Sequence, residues 1–190
     1  MKKVLLIIFS GLLLLGGCGG QESVLDGDNS EIEERDSMPE ITSQLKISSP
    51  TFEHEGAIPS KYTCDGDNVS LPLTFSEVPE GTKSLVLISD DPDAPNGDWV
   101  HWLVWNIKPQ ITEIAENSVP EKAVEGKTSF GSTGYGGPCP PSGKHRYFFK
   151  FYALDAILDL GPSAGKGELL EAMDGHVVGE AELVGTYERN

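Results

Sequence analysis

Two short stretches of the sequence place ionisable side chains beside rigid turn residues. The first reads Asp-Asp-Pro-Asp-Ala-Pro over residues 90–95 and is followed by His101. The second, residues 134–147, contains four Gly and three Pro and includes His145 near its end. Imidazole rings and exposed loop amides can hold a phosphate or a carboxylate, and a neighbouring carboxylate favours a charged imidazole. The pattern predicts a site for a small polar ligand formed by Asp91, Asp93, His101 and His145.

Strand signals surround both stretches and would position these side chains. Residues 84–89, 100–107 and 147–154 are short runs rich in Leu, Val, Ile and aromatic residues, as is typical of buried strands. If the first two strands are neighbours, their ends bring the acidic turn close to His101. The Gly/Pro-rich stretch is too stiff for a helix or a central strand. We therefore expect it to be a loop that delivers His145 to the entrance of the third strand.

The remaining pattern indicates a β-rich domain with little helix. Many short strands without an alternating strand–helix rhythm predict an all-β fold. We expect a β-sandwich of Greek-key-like antiparallel sheets with one or two short helices. Its further elements are predicted as strands at 45–47, 71–75 and 182–187, a loop at 111–124, and a helix at 166–173 that ends before a left-handed Gly175.

Other interpretations of the same residues stay open. Asp91 and Asp93 could be turn residues that bind loop backbone, as Asp often does beside Pro. Two His and two Asp could hold a metal, but no His-x-x-x-His spacing is present, and we expect neither a metal nor another cofactor. Cys139 or Ser142 could pair with His145 as nucleophile and base, although Cys139 lies between two prolines.

The charge balance excludes some partners. The 190 residues contain 14 Lys and Arg against 30 Asp and Glu, which gives a net charge of −16. Nucleic-acid binding needs a basic surface, so we expect no nucleic-acid partner. Adhesion to anionic lipid through surface charge is disfavoured for the same reason.

The N-terminal sequence is typical of a targeting segment. Lys2 and Lys3 precede an apolar run over residues 4–15 that is too short to span a bilayer comfortably. Leu-Gly-Gly-Cys at 15–18 resembles a bacterial lipobox, which predicts a signal peptide over residues 1–17 and acyl chains such as palmitate on Cys18. The alternative is an ordinary secretory signal with an incidental Cys.

The predicted domain organisation follows from this segment and from a change in composition. Residues 18–43 are predicted to be the lipidated Cys and an acidic flexible tether, and residues 44–190 a single β-sandwich domain. We therefore expect a bacterial lipoprotein held to the membrane on its extracytoplasmic face. If Cys18 is lipidated, Cys64 and Cys139 remain, and outside the cytoplasm they can form a disulfide or stay as two buried thiols.

Five segments of the chain resemble the phosphatidylethanolamine-binding protein family, in its bacterial Raf kinase inhibitor-like branch. They span roughly residues 45–188, and they are long and keep the family's order. The matching segments are Tyr-Thr-Cys-Asp-Gly at 62–66, Asp-Asp-Pro-Asp-Ala-Pro at 90–95, Val-His-Trp at 100–102, residues 134–147, and Glu-Ala-Glu-Leu-Val-Gly-Thr-Tyr at 180–187.

The resemblance implies a β-sandwich with a small anion-binding cavity at one end. Carried over by position, the cavity would be lined by Asp91, Asp93, His101, Gly137, His145 and Tyr147. The family's ligands are phosphoryl groups, including phospholipid head groups. The lipid anchor and the acidic tether depart from the family pattern, so the kinase-inhibitor role of animal relatives is not transferred.

The sequence therefore predicts a membrane-anchored binding protein, not an enzyme, that holds a small phosphoryl or other anionic ligand. We expect the loops of the pocket to supply hydrogen bonds and little apolar depth. The alternative function is a protein-interaction module that inhibits an extracellular peptidase or another partner, and no protein partner is specified. A hydrolase that uses the Asp/His cluster is a third possibility.

Overall fold

The computed structural model describes residues 44–189 of the chain. The predicted signal peptide at 1–17, the lipidation of Cys18 and the tether at 18–43 lie outside the described residues. Within the described part of the chain, no helix is long and apolar enough to cross a membrane.

The fold consists of two antiparallel sheets, which confirms the predicted all-β class. The larger sheet has the strand order β6-β4-β3-β7-β8 and the smaller one β1-β2-β5. The strands are β1 Lys46–Ser48, β2 Leu73–Ser76, β3 Ser84–Asp91, β4 Trp99–Ile107, β5 Glu113–Ile114, β6 Val124–Glu125, β7 Gly143–Leu154 and β8 Val177–Arg189. A 3₁₀ turn covers Ser60–Tyr62, and the helix α1 covers Lys166–Met173.

The main apolar core lies between the two sheets. Phe75 of β2 packs on Phe151 of β7 with ring centroids 4.3 Å apart, and Leu73, Leu85 and Trp102 are buried in the same cluster. A second apolar cluster lies on the opposite face of the larger sheet. Strands β3 and β4 are thus covered on both faces, which explains why their sequences are apolar runs instead of an alternation.

Helix α1 covers the outer face of the larger sheet. Its Leu169 and Met173 are buried in the cluster that contains Trp105 of β4. The Glu168 carboxylate accepts a hydrogen bond of 3.0 Å from the backbone N–H of Gly165, which precedes the first helical residue. The chain leaves the helix through Gly175, whose φ of 74° confirms the predicted left-handed position.

Three predicted boundaries were wrong. The segment 111–124, predicted as a loop, contributes β5 and the start of β6, both only two residues long. Strand β7 begins at Gly143, so His145 lies inside the strand and not in the loop before it. Strand β8 is longer than the predicted 182–187, mainly at its N-terminal end, and covers Val177–Arg189, because it pairs with β7 along nearly its whole length.

A disulfide joins Cys64 to Cys139, with their Cα atoms 5.4 Å apart. It connects the loop after the 3₁₀ turn to the Gly/Pro-rich segment before β7. The backbone N–H of Cys64 also donates to the carbonyl of Pro138 at 3.1 Å. The disulfide that the sequence left open is therefore present, and it fastens the segment that leads to His145.

We expect removal of this disulfide to destabilise the domain. The bond closes a loop with a sequence separation of 75 residues, and a cross-link of this kind contributes about 2–4 kcal/mol to the free energy of unfolding. Urea unfolding of the full chain with and without a phosphine reductant should show this loss. A Cys64→Ser, Cys139→Ser double variant is the control, since the reductant should have no further effect on it. Equal stability of the reduced and oxidised wild type would contradict the prediction.

Candidate functional site

A cavity of about 390 Å³ opens where β3 ends and where β4 and β7 begin. The turn between β3 and β4 forms one side and the segment before β7 forms the other. The cavity is lined by Asp91, Ala94, Pro95, Asn96, Trp99, His101, Phe130, Cys139, Pro140, Pro141 and His145. Three of the four residues that the acidic turn and the histidines suggested therefore share one cavity.

Strand pairing brings these side chains together. Strands β3 and β4 are antiparallel neighbours, with Asp91 opposite Trp99 and Ser89 opposite Trp102, so His101 lies next to the acidic turn as predicted. Strand β7 pairs with the other edge of β3, which brings His145 to Asp91. Because successive residues of a strand face opposite sides, β3 directs Asp91 to the cavity and Asp90 to the face covered by α1.

Asp91 and His145 form a buried hydrogen-bonded pair. The Nδ1 atom of His145 lies 2.7 Å from Oδ2 of Asp91, and the two residues are 7% and 3% exposed. The other carboxylate oxygen accepts the backbone N–H of Asp93 at 2.8 Å. Both oxygens of Asp91 are therefore used within the protein. The Nε2 atom of His145 is the ring nitrogen that remains for a ligand.

His101 is anchored in the same way but to a neutral group. Its Nδ1 donates to the carbonyl of Gly136 at 2.6 Å. The ring also meets Phe130 and Tyr147 edge to face, with centroids 5.5 and 5.2 Å away. Burial lowers the pKa of His101, against the opposing effects of the Gly136 carbonyl and the negative charge of Asp91. His101 is thus held as a neutral ring whose Nε2 remains for a ligand.

Tyr147 packs against the His101 ring and does not line the cavity. Its hydroxyl is the one buried side-chain polar atom in residues 44–189 without a hydrogen-bond partner. Burial, and then the negative charge of Asp91, raise the pKa of Tyr147, while the backbone of Cys139 acts in the opposite direction. The hydroxyl is therefore protonated, and it lies near the Asp91 carboxylate and the backbone of Cys139. A buried hydroxyl without a well-formed hydrogen bond is unusual in a folded protein.

Asp93 does not line the cavity, contrary to the expectation from the resemblance. Its carboxylate accepts two hydrogen bonds from the Arg146 guanidinium, at 2.9 and 2.7 Å, and a third from the Arg146 backbone N–H at 3.0 Å. These bonds lower the pKa of Asp93 to about 2. Asp93 therefore fastens the β3–β4 turn to β7 and has no free oxygen facing the cavity.

Gly137 is also a structural residue and not a wall of this cavity. Its backbone N–H donates to the Asn68 side-chain oxygen at 2.8 Å. A Cβ atom at this position would lie 2.5 Å from the Tyr62 carbonyl oxygen. Only glycine allows this close approach, so Gly137 lets the segment before β7 pack against the loop that carries Cys64.

The walls of the cavity are mostly apolar, so the expectation of little apolar depth was wrong. Ala94, Pro95, Pro140 and Pro141 form two sides of it. Phe130, which is 47% exposed, stands at the rim with its ring edge to face with Trp99 at 5.5 Å. Sequence reasoning missed Phe130 because it is a single aromatic residue in an irregular segment without a strand or helix period.

A second group of charges lies on the opposite face of β3, directly behind the site. The Asp90 carboxylate is fully buried and accepts bonds from Lys150 at 2.9 Å and from Lys166 of α1 at 2.6 Å. Lys166 also bonds to Asp98, just before β4. This network holds α1, β3, β7 and the β3–β4 turn together, and so it fixes the backbone that carries Asp91.

The structure bears on two alternative chemistries of the site, a nucleophilic cysteine and a bound metal. Cys139 lines the cavity, but its sulfur is bonded to Cys64 and is not a free thiolate for His145 to activate. Within residues 44–189, no three His, Cys, Asp or Glu side chains come together as metal ligands.

The protein is a β domain of two antiparallel sheets. It has a cavity in which two histidine rings are held by hydrogen bonds through Nδ1. The sequence profile of the phosphatidylethanolamine-binding protein family matches residues 48–188, which cover all the strands and loops of the site. The chain belongs to the phosphatidylethanolamine-binding protein family.

Relatives and solved structures agree with this assignment. A UPF0098 protein of Methanothermobacter thermautotrophicus is 52% identical over 150 residues, which cover 76% of this chain and 99% of the relative. UPF0098 protein PH1269 of Pyrococcus horikoshii is 42% identical over 201 residues, which cover 100% of this chain and 91% of the relative.

Two crystal structures are similar to this fold. The phosphatidylethanolamine-binding protein homologue of Chlamydia trachomatis has a TM-score of 0.75 and 45% identity, and the match covers 78% of this chain and 100% of that one. YbcL of Escherichia coli, described as a new member of the mammalian family, has a TM-score of 0.74 and 30% identity with the same coverage.

The Asp93–Arg146 pair predicts a specific dependence of stability on pH. The folded-state pKa of Asp93, about 2, lies below its ordinary value of 3.8. The pair therefore stabilises the folded state fully above about pH 4, and this contribution is lost as the pH falls toward about 2. In Asp93→Asn, the melting temperature should be lower than that of the wild type at pH 7 and should fall less between pH 4.5 and pH 2.5.

Differential scanning calorimetry across this pH range measures the effect. Asp159→Asn is a matched control, because Asp159 is exposed and none of the described contacts involves it. An Asp93→Asn protein with the same pH dependence as the wild type would show that the pair does not contribute to stability.

Proposed function

We propose that this protein binds a small anionic ligand, a phosphoryl group, in the cavity between His101 and His145. The observation that carries the proposal is the shared orientation of the two rings. Each uses Nδ1 for a bond within the protein, one to Asp91 and one to Gly136. Both Nε2 atoms are thereby left for the same ligand in one cavity.

The electrostatics of the pair favour an anion. Asp91 can balance the charge of a doubly protonated His145, so that ring can donate from Nε2 without placing an unpaired charge in the protein. A phosphoryl oxygen carries negative charge and accepts hydrogen bonds, which suits a charged donor at Nε2 of His145.

Family membership supports a phosphoryl ligand. The family's name refers to a phospholipid whose head group contains a phosphate, and the Chlamydia trachomatis relative is named for the same lipid. The five motif segments further favour the Raf kinase inhibitor-like branch. In this proposal the protein binds its ligand without transforming it, since Cys139, the strongest nucleophile in the cavity wall, is held in a disulfide.

We expect substitution of either cavity histidine to weaken phosphoryl binding. A hydrogen bond to a charged group contributes about 1.5–3 kcal/mol, so His145→Ala or His101→Ala should lower the affinity for O-phosphoethanolamine about 10- to 100-fold. Isothermal titration calorimetry of the full chain in detergent measures this loss.

The chain offers a matched control for this experiment. His176 forms a comparable pair with Asp155, with Nδ1 2.8 Å from the carboxylate oxygen, but it is exposed and lies outside the cavity. His176→Ala should leave the affinity unchanged. Wild-type affinity in both cavity variants would remove the assignment of the site.

We further propose that the domain is anchored to the extracytoplasmic face of a bacterial membrane through lipid on Cys18. The lipobox-like sequence at 15–18 supports the anchor, and the Cys64–Cys139 disulfide supports a location outside the reducing cytoplasm. An acylated Cys would tether the domain, because each buried methylene contributes about 0.8 kcal/mol to membrane binding.

Metabolic labelling with palmitate in a bacterial host tests the anchor. The wild type should incorporate label and enter the detergent phase on Triton X-114 partition, whereas Cys18→Ser should do neither. The Cys64→Ser, Cys139→Ser double variant should keep its label. Label in the Cys18→Ser protein, or none in the wild type, would refute the lipid anchor.

A further inference from the structure

The two cavity histidines have different hydrogen-bond partners, and this difference has chemical consequences. His145 bonds to the Asp91 carboxylate, whereas His101 bonds to the carbonyl of Gly136 at 2.6 Å. A carbonyl only accepts, so the proton of a neutral His101 lies on Nδ1. The remaining nitrogen, Nε2, then carries a lone pair and accepts a hydrogen bond instead of donating one.

The surroundings of His101 favour the neutral form of its ring. The ring is 3% exposed and meets two aromatic edges. The charged group of β3 that faces it is Asp91, while Asp90 acts on it electrostatically from the opposite face of the sheet, and β7 contributes the ionisable residues Tyr147 and His145. The segment before β7 contributes Phe130 and the carbonyls of Gly136 and Gly137. Burial, which lowers the pKa of His101, is the largest effect and exceeds the opposing effect of these carbonyls and carboxylates.

An acceptor in the cavity distinguishes between forms of a phosphoryl ligand. A phosphomonoester with one proton has a P–OH group that can donate to Nε2 of His101. Its other oxygens can accept a hydrogen bond from Nε2 of a protonated His145. A phosphodiester has no P–OH group, so its oxygens would face the lone pair of His101 and leave that acceptor unpaired. An unpaired buried acceptor is costly.

We propose that the cavity selects phosphomonoesters in their singly protonated form over phosphodiesters. In this proposal Nε2 of His101 accepts a hydrogen bond from the P–OH group. The preferred ligand is then a free phosphomonoester and not the head group of an intact phospholipid, which is a phosphodiester. This inference rests on the proposed function of the site. The selection is electronic, since a cavity of about 390 Å³ is within the range of small-molecule sites.

Two ligands that differ only at the ester test the proposal. O-phosphoethanolamine is a monoester, and glycerophosphoethanolamine is a diester with the same ammonium group. Calorimetry of the full chain in detergent should show the monoester binding at least about tenfold more tightly at pH 6, the cost expected of one unpaired polar group.

The pH dependence provides a second readout. The second pKa of a phosphomonoester is about 6, so above this pH the ligand must take up a proton to bind in the selected form. The monoester affinity should fall as the pH rises from 6 to 8, by up to about tenfold per pH unit. Titrations at pH 7.5 in two buffers of different ionisation enthalpy should show uptake of close to one proton for each ligand bound.

The outcomes separate this inference from the proposed function. Binding of both ligands with equal affinity, or monoester binding at pH 7.5 without proton uptake, overturns the selection and leaves the phosphoryl site intact. Binding of neither ligand removes both proposals. His101→Gln should reduce the preference for the monoester, because an amide can offer either a donor or an acceptor at that position. The wild-type comparison decides the proposal even if this variant does not fold.

Discussion

The site depends on the need to satisfy a carboxylate that β3 places in the protein interior. Asp91 is almost fully buried, and an unpaired charge there would be strongly destabilising. Its two oxygens are satisfied by His145 of β7 and by the backbone of Asp93 in the following turn. The same two bonds fix the orientation of the His145 ring and the shape of the turn. The contacts that satisfy the buried carboxylate of Asp91 are therefore the same contacts that orient His145 and shape one side of the cavity.

The neighbouring residue shows the same constraint on the other face of the sheet. Asp90 is also buried, and two lysines supply its hydrogen bonds, one from β7 and one from α1. Two adjacent carboxylates on one strand thus require partners on opposite sides of the sheet. This explains why α1 and β7 are both tied to the end of β3, beside the cavity.

Pairing of neighbouring strands made part of the site predictable. An apolar run, an acidic turn and a second apolar run indicate two adjacent strands, and this arrangement puts Asp91 near His101. The capture of Asp93 by Arg146 was not predictable, because the two residues are 53 positions apart and both lie at turns or strand ends without a periodic signal. The roles of Gly137 and Phe130 depend on close approach of irregular segments, which leaves no pattern in the sequence.

The difference between the two histidines follows from what the fold offers to each Nδ1 atom. One ring receives a carboxylate from the end of β3, and the other receives a carbonyl from a glycine-rich segment that a disulfide holds in place. A carboxylate can balance a positively charged ring, whereas a carbonyl in a buried environment suits a neutral one. Two residues of the same type thereby acquire different hydrogen-bonding roles in one cavity. The partners that lie behind the rings, and not the rings themselves, determine whether each Nε2 atom can donate or accept a hydrogen bond in the cavity.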